Sequence, residues 1–391
     1  MKKLFFIATA AVVALAACSK VDTVNTTPDQ AITFQVAKYS LVQTKADPET
    51  DTHGHTSLKD EGFELFQTYA WYTSKDANGD LNANQAFMAP ATVEFDDAND
   101  LWHATDRTYY WPKTGYINFF SFAGDHLPDA VALDDEDSYK AKAHYTTQIT
   151  VATDDNILIA DGAYGFYNND GATHQLDNVT KGVPTLFRHM LSRVKFDICV
   201  DATDATDDKD NWAIVVNSAT LSYRNKGTLE VAFPATPSIT LGADNKPTAA
   251  GQTLQYTSQV WTPASVDNVT LSKVDGTVTA NADGGERSDA EVLIADSVVM
   301  PQTIATTNVT IALTYTLTHT YNGAGATVET VPVAATLLTT FTPSILTWNP
   351  NSIYTYHIIV KPAGEILFDP AVETWIPEDP TDADYNADKE I

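Results

Sequence analysis

The chain has 391 residues, and its 23 Lys and Arg stand against 51 Asp and Glu for a formal charge of −28. So negative a protein repels phosphate backbones and anionic headgroups, which excludes non-specific nucleic-acid binding and adsorption to acidic membranes. With 43% apolar and 10% aromatic residues, the acidity belongs to the surface of a folded protein rather than to a disordered tail, and the length suits two domains.

Lys2 and Lys3 form a positive start, Leu4 to Ala14 an apolar run too short to span a bilayer, and Leu15-Ala16-Ala17-Cys18 a small-residue close. Residues 1–17 read as a cleavable export signal, and the cysteine at its end resembles a bacterial lipoprotein lipobox. That resemblance implies acylation of Cys18. Each buried methylene contributes about 0.8 kcal/mol, so several chains anchor stably where one would not. The only other cysteine is Cys199. Two are too few for a disulfide framework and lack metal-site spacing, so Cys199 is expected as a small, unpaired side chain in a strand.

Residues 18–30 read as a polar leader. Ala31-Ile32-Thr33-Phe34-Gln35-Val36 then alternates apolar with polar, the period of a half-buried strand. It runs on through Tyr39 to Leu41 into a charged, turn-rich loop, Thr44-Lys45-Ala46-Asp47-Pro48 to His55, expected to be exposed and open to proteases.

The period of two recurs in Val194, Phe196, Ile198 and Val200, in Ile311, Leu313, Tyr315 and Leu317, and in Tyr354, Tyr356, Ile358 and Val360. Val, Ile, Thr and Tyr dominate these runs, and Asn-Gly, Pro and Asp clusters separate them. The expected fold is all-β, of antiparallel sandwich type, with short helices at most in connections. The Asp-rich stretch Asp201 to Asp210 has no large apolar residue and is read as lying outside any core, either as an interdomain link or as a long loop leading into Trp212. It places an N-terminal domain at 31–205 and a C-terminal one, ending in an acidic tail, at 206–391.

Candidate chemistry is sparse. Asp76-Ala77-Asn78-Gly79-Asp80 begins like a calcium loop, but Leu81 stands where glycine is needed and Phe87 where a bidentate Glu is needed, so a hairpin turn is the better reading. His53-Gly54-His55 suggests no third ligand, and the remaining histidines do not pair at helical metal spacing. No nucleophile elbow, zincin helix, phosphate loop or dinucleotide fingerprint occurs. No cofactor, metal site or catalytic residue is assigned, and the chain is read as a non-enzyme. Trp102, Tyr109, Tyr110, Trp111 and Tyr116 could stack on sugars, yet they run into the apolar strand Ile117 to Phe122 and are expected to fill a core.

The order Trp102, Tyr109-Tyr110-Trp111-Pro112, Ile117-Asn118-Phe119-Phe120-Ser121-Phe122, Asp155-Asn156-Ile157-Leu158-Ile159-Ala160 and Leu186 to Phe196, followed by Val299-Met300-Pro301-Gln302, Trp348 to Tyr356 and Val372-Glu373-Thr374-Trp375, resembles the fimbrillin family. These are the type V pilins and pilin-like lipoproteins of Bacteroidales. The resemblance implies two tandem transthyretin-like β-sandwiches, a lipid anchor in the outer membrane, and assembly with other fimbrillin-type subunits by strand exchange. The removable strand would carry Ile32, Phe34 and Val36, with maturation at Lys45-Ala46. Arginine-cut members of the family carry Arg where this chain has Lys45, so either a lysine-accepting protease acts or the protein stays uncleaved as an anchor or accessory subunit. The donor strand would carry Ile366, Phe368, Val372 and Trp375, with the alternative that it is the last strand of its own domain. The acidic tail beyond Trp375 does not read as an extra donor strand, which favours a tip or accessory role. Adhesion would add a host or bacterial surface ligand as a partner. A monomeric surface lipoprotein binding glycans through an aromatic face is the alternative.

Overall fold

In a computed structural model, the structure describes residues 26–36, 58–59, 61–75, 81–99, 101–112, 115–133, 143–166, 182–205, 210–233, 254–255, 258–264, 268–305, 308–321, 326–335, 347–362 and 366–374. Among these there are strands and turns and no helix, so the all-β expectation holds. The first two strands are β1 (Thr26–Ala31) and β2 (Thr33–Val36).

The largest sheet has ten strands. Its path begins at β12 (Val183–Thr185), passes through β2 to β5 (Leu101–Ala104) and β4 (Leu81–Asp96), and reaches β3 (Leu65–Lys75). It continues through β7 (Tyr116–Gly124) and β10 (Ile157–Ala160) to β13 (Phe187–His189), while β11 (Gly162–Phe166) pairs both β7 and β17 (Leu254–Gln255). This sheet folds over on itself. Phe34 of β2 and Phe119 of β7 lie four strands apart along the path, about 19 Å in a flat sheet, yet their ring centroids are 5.7 Å apart. The core enclosed by the fold includes Phe34, Phe66, Trp102, Trp111 and Phe119.

The outer face of β3 and β7 carries Tyr69, Phe120 and Phe122, which pack on a four-stranded sheet in the order β18 (Ser258–Pro263), β16 (Lys226–Ala232), β9 (Ala143–Thr150), β8 (Ala132–Leu133). A third core lies between two further sheets. One runs β21 (Glu291–Val299), β14 (Ser192–Val200), β26 (Ser352–Val360), β27 (Ile366–Thr374); the other runs β19 (Asn268–Ser272), β15 (Asp210–Arg224), β23 (Thr310–Tyr321), β24 (Ala326–Ala335), with β20 (Val278–Asp283) also on β15. The small pairs β1 with β6 (Tyr110–Pro112), and β22 (Gln302–Thr303) with β25 (Thr347–Trp348), complete the described strands. Pairing is antiparallel except for β2 with β12 and β14 with β26.

The three alternating runs seen in the sequence lie on β14, β23 and β26, and every apolar residue named in them is buried in the third core. Trp348 donates its indole N–H to the Tyr356 hydroxyl at 2.8 Å, satisfying two polar groups that burial would otherwise strand. Cys199 lies buried in β14 as a free thiol, and Arg287 Nε donates to its Sγ at 3.3 Å.

The strands place three further features of the sequence. The end of the polar leader forms β1, an edge ribbon that tolerates Pro28 because one side of it needs no ladder partner. The Asp-rich stretch, expected to lie outside any core, does enter one: Ala202 is fully buried in the third core, its N–H bonded to Glu286 O at 2.7 Å. That stretch connects β14 and β15, whose side chains share one core, so it joins facing sheets. Strands also pair across residue 205. Strand β14 precedes that point yet pairs with β21 and β26, while β16 and β18 follow it yet pair with one another and, through β16, with β9. Sheet membership follows the matching of apolar faces, which a polar stretch between strands does not disclose.

Candidate strand-exchange site

Strand β2 lies inside its sheet, antiparallel to β5 with Phe34 opposite Trp102, and parallel to β12 with Phe34 opposite Val183 and Val36 opposite Thr185. Its alternation does what the sequence suggests. Ile32, Phe34 and Val36 are only 3%, 2% and 5% exposed, while Thr33 and Gln35 are half-buried. Phe34 meets Phe66 and Phe119 edge-on, with centroids 5.5 and 5.7 Å away. Such T-shaped contacts align ring edges with π faces and add to the area term. Behind them, Phe66 touches Trp102 and Phe187. The entry is fixed by Ile32 N–H bonded to Tyr109 O at 2.8 Å.

Gly182, just before β12, has φ +96°, and a Cβ there would stand 2.8 Å from the Phe34 carbonyl carbon. Only glycine allows this backbone approach. Sequence reasoning missed Gly182 and β12; the Val183-Pro184 pair ahead of Leu186 gives no sign that it will lie parallel to a strand some 150 residues earlier.

Further along the same sheet, Asp161 and Arg188 form a buried bidentate pair, with Nε at 2.9 Å from Oδ1 and Nη2 on Oδ2. His189 is enclosed by Asn156, whose Oδ1 lies 3.0 Å from Nδ1, and by Glu61, whose Oε1 lies 3.0 Å from Nε2. Burial pushes the imidazole below its ordinary value, against the opposing pull of Glu61. These polar groups tie the segment before β3 to β10 and β13. Among the described residues no group of three or more His, Cys, Asp or Glu could hold a metal.

The sequence-predicted donor strand is β27, paired antiparallel along β26 from Ser352 opposite Thr374 to Val360 opposite Ile366. It is the edge of its sheet; Ile366 packs on the third core, Leu367 is partly exposed, and Val372 is 52% exposed. The structure therefore does not bring Ile366, Phe368 and Val372 together with Ile32, Phe34 and Val36. Cys18, Lys45, Ala46 and Trp375 lie outside the described residues, as do Tyr39 to Leu41, His53, His55 and the Asp76 to Asp80 turn. The strands on either side of residues 76–80 pair antiparallel, with Lys75 opposite Leu81. Trp102, Tyr109 and Trp111 are buried, so they offer no stacking face to a sugar.

The fold and this inserted strand define an all-β protein of sandwich type whose first sheet is completed by its own N-terminal segment. The chain belongs to the fimbrillin-like family, whose sequence model matches residues 44–375, and it is a fimbrial subunit. No curated protein matches the chain. Among solved structures, a fimbrial protein of Bacteroides vulgatus is 14% identical, with a TM-score of 0.46 covering 88% of this chain and 99% of the other. The tip fimbrial protein Mfa3 of Porphyromonas gingivalis is 12% identical, with a TM-score of 0.31 over 80% of this chain and 94% of its own. The fimbrial anchor protein Mfa2 of the same organism is 12% identical, with a TM-score of 0.27 over 88% and 98%. At these TM-scores none of the three bears on the position this chain takes in a fimbrium.

Proposed function

We propose that this subunit is a non-enzymatic, surface-exposed lipoprotein, tethered to the outer membrane through acylated Cys18, that assembles with other fimbrillin-type subunits by donor-strand exchange. Cleavage at Lys45-Ala46 frees the segment carrying Ile32, Phe34 and Val36, and a strand from another subunit refills the groove. The edge strand β27, with Ile366, Phe368 and Val372, running to Trp375, is the segment this subunit donates in turn. A tip or accessory position, with a role in adhesion, fits the acidic tail.

The observation that carries the reading is the burial of Ile32, Phe34 and Val36 in a strand ahead of residue 44, where the family match begins. A segment ahead of the matched residues fills the first core of this chain. Refilling it restores main-chain hydrogen bonds worth roughly 1 kcal/mol each and apolar contacts besides, so the joint is slow to open. Charge plays no part in such a joint, which suits an acidic chain. Trp102, Tyr109 and Trp111, three of the aromatic residues behind the glycan-binding reading, are buried, which counts against that reading.

Limited trypsin on the protein in the presence of a fluorescent peptide of residues 26–36 tests the exchange: the peptide is expected to co-migrate with the cut protein on native electrophoresis. Cut, folded protein that takes up no peptide contradicts it. Radiolabelled fatty acid is expected to enter the wild type and not Cys18→Ala; equal labelling removes the anchor.

A further inference from the structure

The slot filled by β2 has unlike walls. On one side β5 runs antiparallel, with Thr33 opposite His103; on the other β12 runs parallel, with Thr185 opposite Val36. Parallel and antiparallel ladders set their N–H and C=O groups at different heights, so a strand turned end for end mismatches both neighbours together. Gly182 lets the backbone at the middle of the slot pass against a position with no room for a Cβ. Three alternate side chains face the core, in the order aliphatic, aromatic, aliphatic.

Measured against that pattern, the chain's own C-terminal strand fits in part. Ile366 and Phe368 have the spacing of Ile32 and Phe34, but the third inward place, filled by Val36, falls to Pro370. Proline has no N–H to give the ladder, and Asp369 brings a charge to the half-buried place of Gln35. In its own sheet the same Pro370 lies on an edge strand opposite Tyr356, where a missing N–H is tolerated.

Resting on the strand-exchange reading above, we propose that this groove selects its donor by direction and sequence: it takes a strand running parallel to β12, with an aliphatic, an aromatic and a branched aliphatic residue at alternate positions, from a non-identical subunit. It discriminates against the Ile366–Thr374 segment of a second copy of this chain.

The full mature chain, cut near Lys45, is titrated with labelled peptides of residues 26–36 and residues 364–374, and the direction of entry is read with two variants of the first, Thr33→Cys and Gln35→Cys, offered to protein carrying His103→Cys. The peptide of residues 26–36 is expected to bind most tightly, and the C-terminal one about tenfold weaker, with Pro370→Val in that peptide recovering most of the difference. In the native direction Thr33 stands opposite His103, so the Thr33→Cys peptide is expected to form the disulfide and the Gln35→Cys peptide, which only a strand turned end for end about Phe34 would bring there, is not. Equal cross-linking of the two overturns the directional selection. Equal binding of the C-terminal peptide, or no gain from Pro370→Val, overturns the discrimination against a second copy. If even the peptide of residues 26–36 fails to enter, strand exchange itself fails and this proposal falls with it.

Discussion

Phe34 concentrates the account at the scale of a single side chain. It is buried between Phe66 and Phe119, and truncating a buried aromatic leaves a cavity as well as losing transfer energy. Phe34→Ala is expected to destabilise the protein by about 3–5 kcal/mol in denaturant titration, and half-buried Thr33→Ala by less than about 1 kcal/mol. Equal effects would mean that β2 does not present alternate faces. This alternation was legible in the sequence because period two needs only local information. Gly182 was not legible, because its constraint comes from a backbone that reaches it across the fold. Ala202 was misread for a similar reason: small residues among aspartates look solvated until the partner strands are placed.

Among the strands, β14, β23 and β26 were readable and β1 and β12 were not. The readable ones bury one face on a neighbouring sheet, so burial wrote itself into their sequence; β1 and β12 have six and three residues, too few for a period to show. The two strands at the C-terminal end differ in the same way. Tyr356 of β26 is enclosed and bonded to Trp348, whereas Val372 of β27 faces outward. Tyr356→Ala is expected to cost about 3–5 kcal/mol, and Val372→Lys to stay within about 0.5 kcal/mol, by denaturant unfolding. A large loss at Val372 would mean that the outer face of β27 is covered.

For the whole molecule, fold class and family were open to sequence reading, but the division of sheets was not. The chain returns from β15 to β16 to complete a sheet begun by β8 and β9, and no composition change marks that return. The cores share a titration behaviour that follows from their tyrosines. Burial raises Tyr145, Tyr223 and Tyr356 above the ordinary 10.0, with Tyr223 pushed up to about 12. A raised folded-state value means that the stability contributed is intact below pH 10 and is lost as pH rises from there through the folded-state values, because the unfolded chain sheds these protons first. Circular dichroism is expected to show unfolding above pH 10, with the late part of the tyrosinate absorbance rising together with it. Full tyrosinate absorbance in a still-folded protein would contradict the burial of these rings.

The central claim is that residues 32–36 complete the first sheet yet can leave it for another strand. Thr33 and His103 are directly opposed across an antiparallel pair, where Cβ atoms lie about 4.5–5.5 Å apart and small backbone adjustment closes a disulfide. The double variant Thr33→Cys, His103→Cys, cut near Lys45, is therefore compared in oxidised and reduced forms for uptake of a labelled peptide of residues 26–36. The account predicts no uptake when the strand is locked and restored uptake on reduction; uptake by the locked protein, or none by the reduced one, would contradict it.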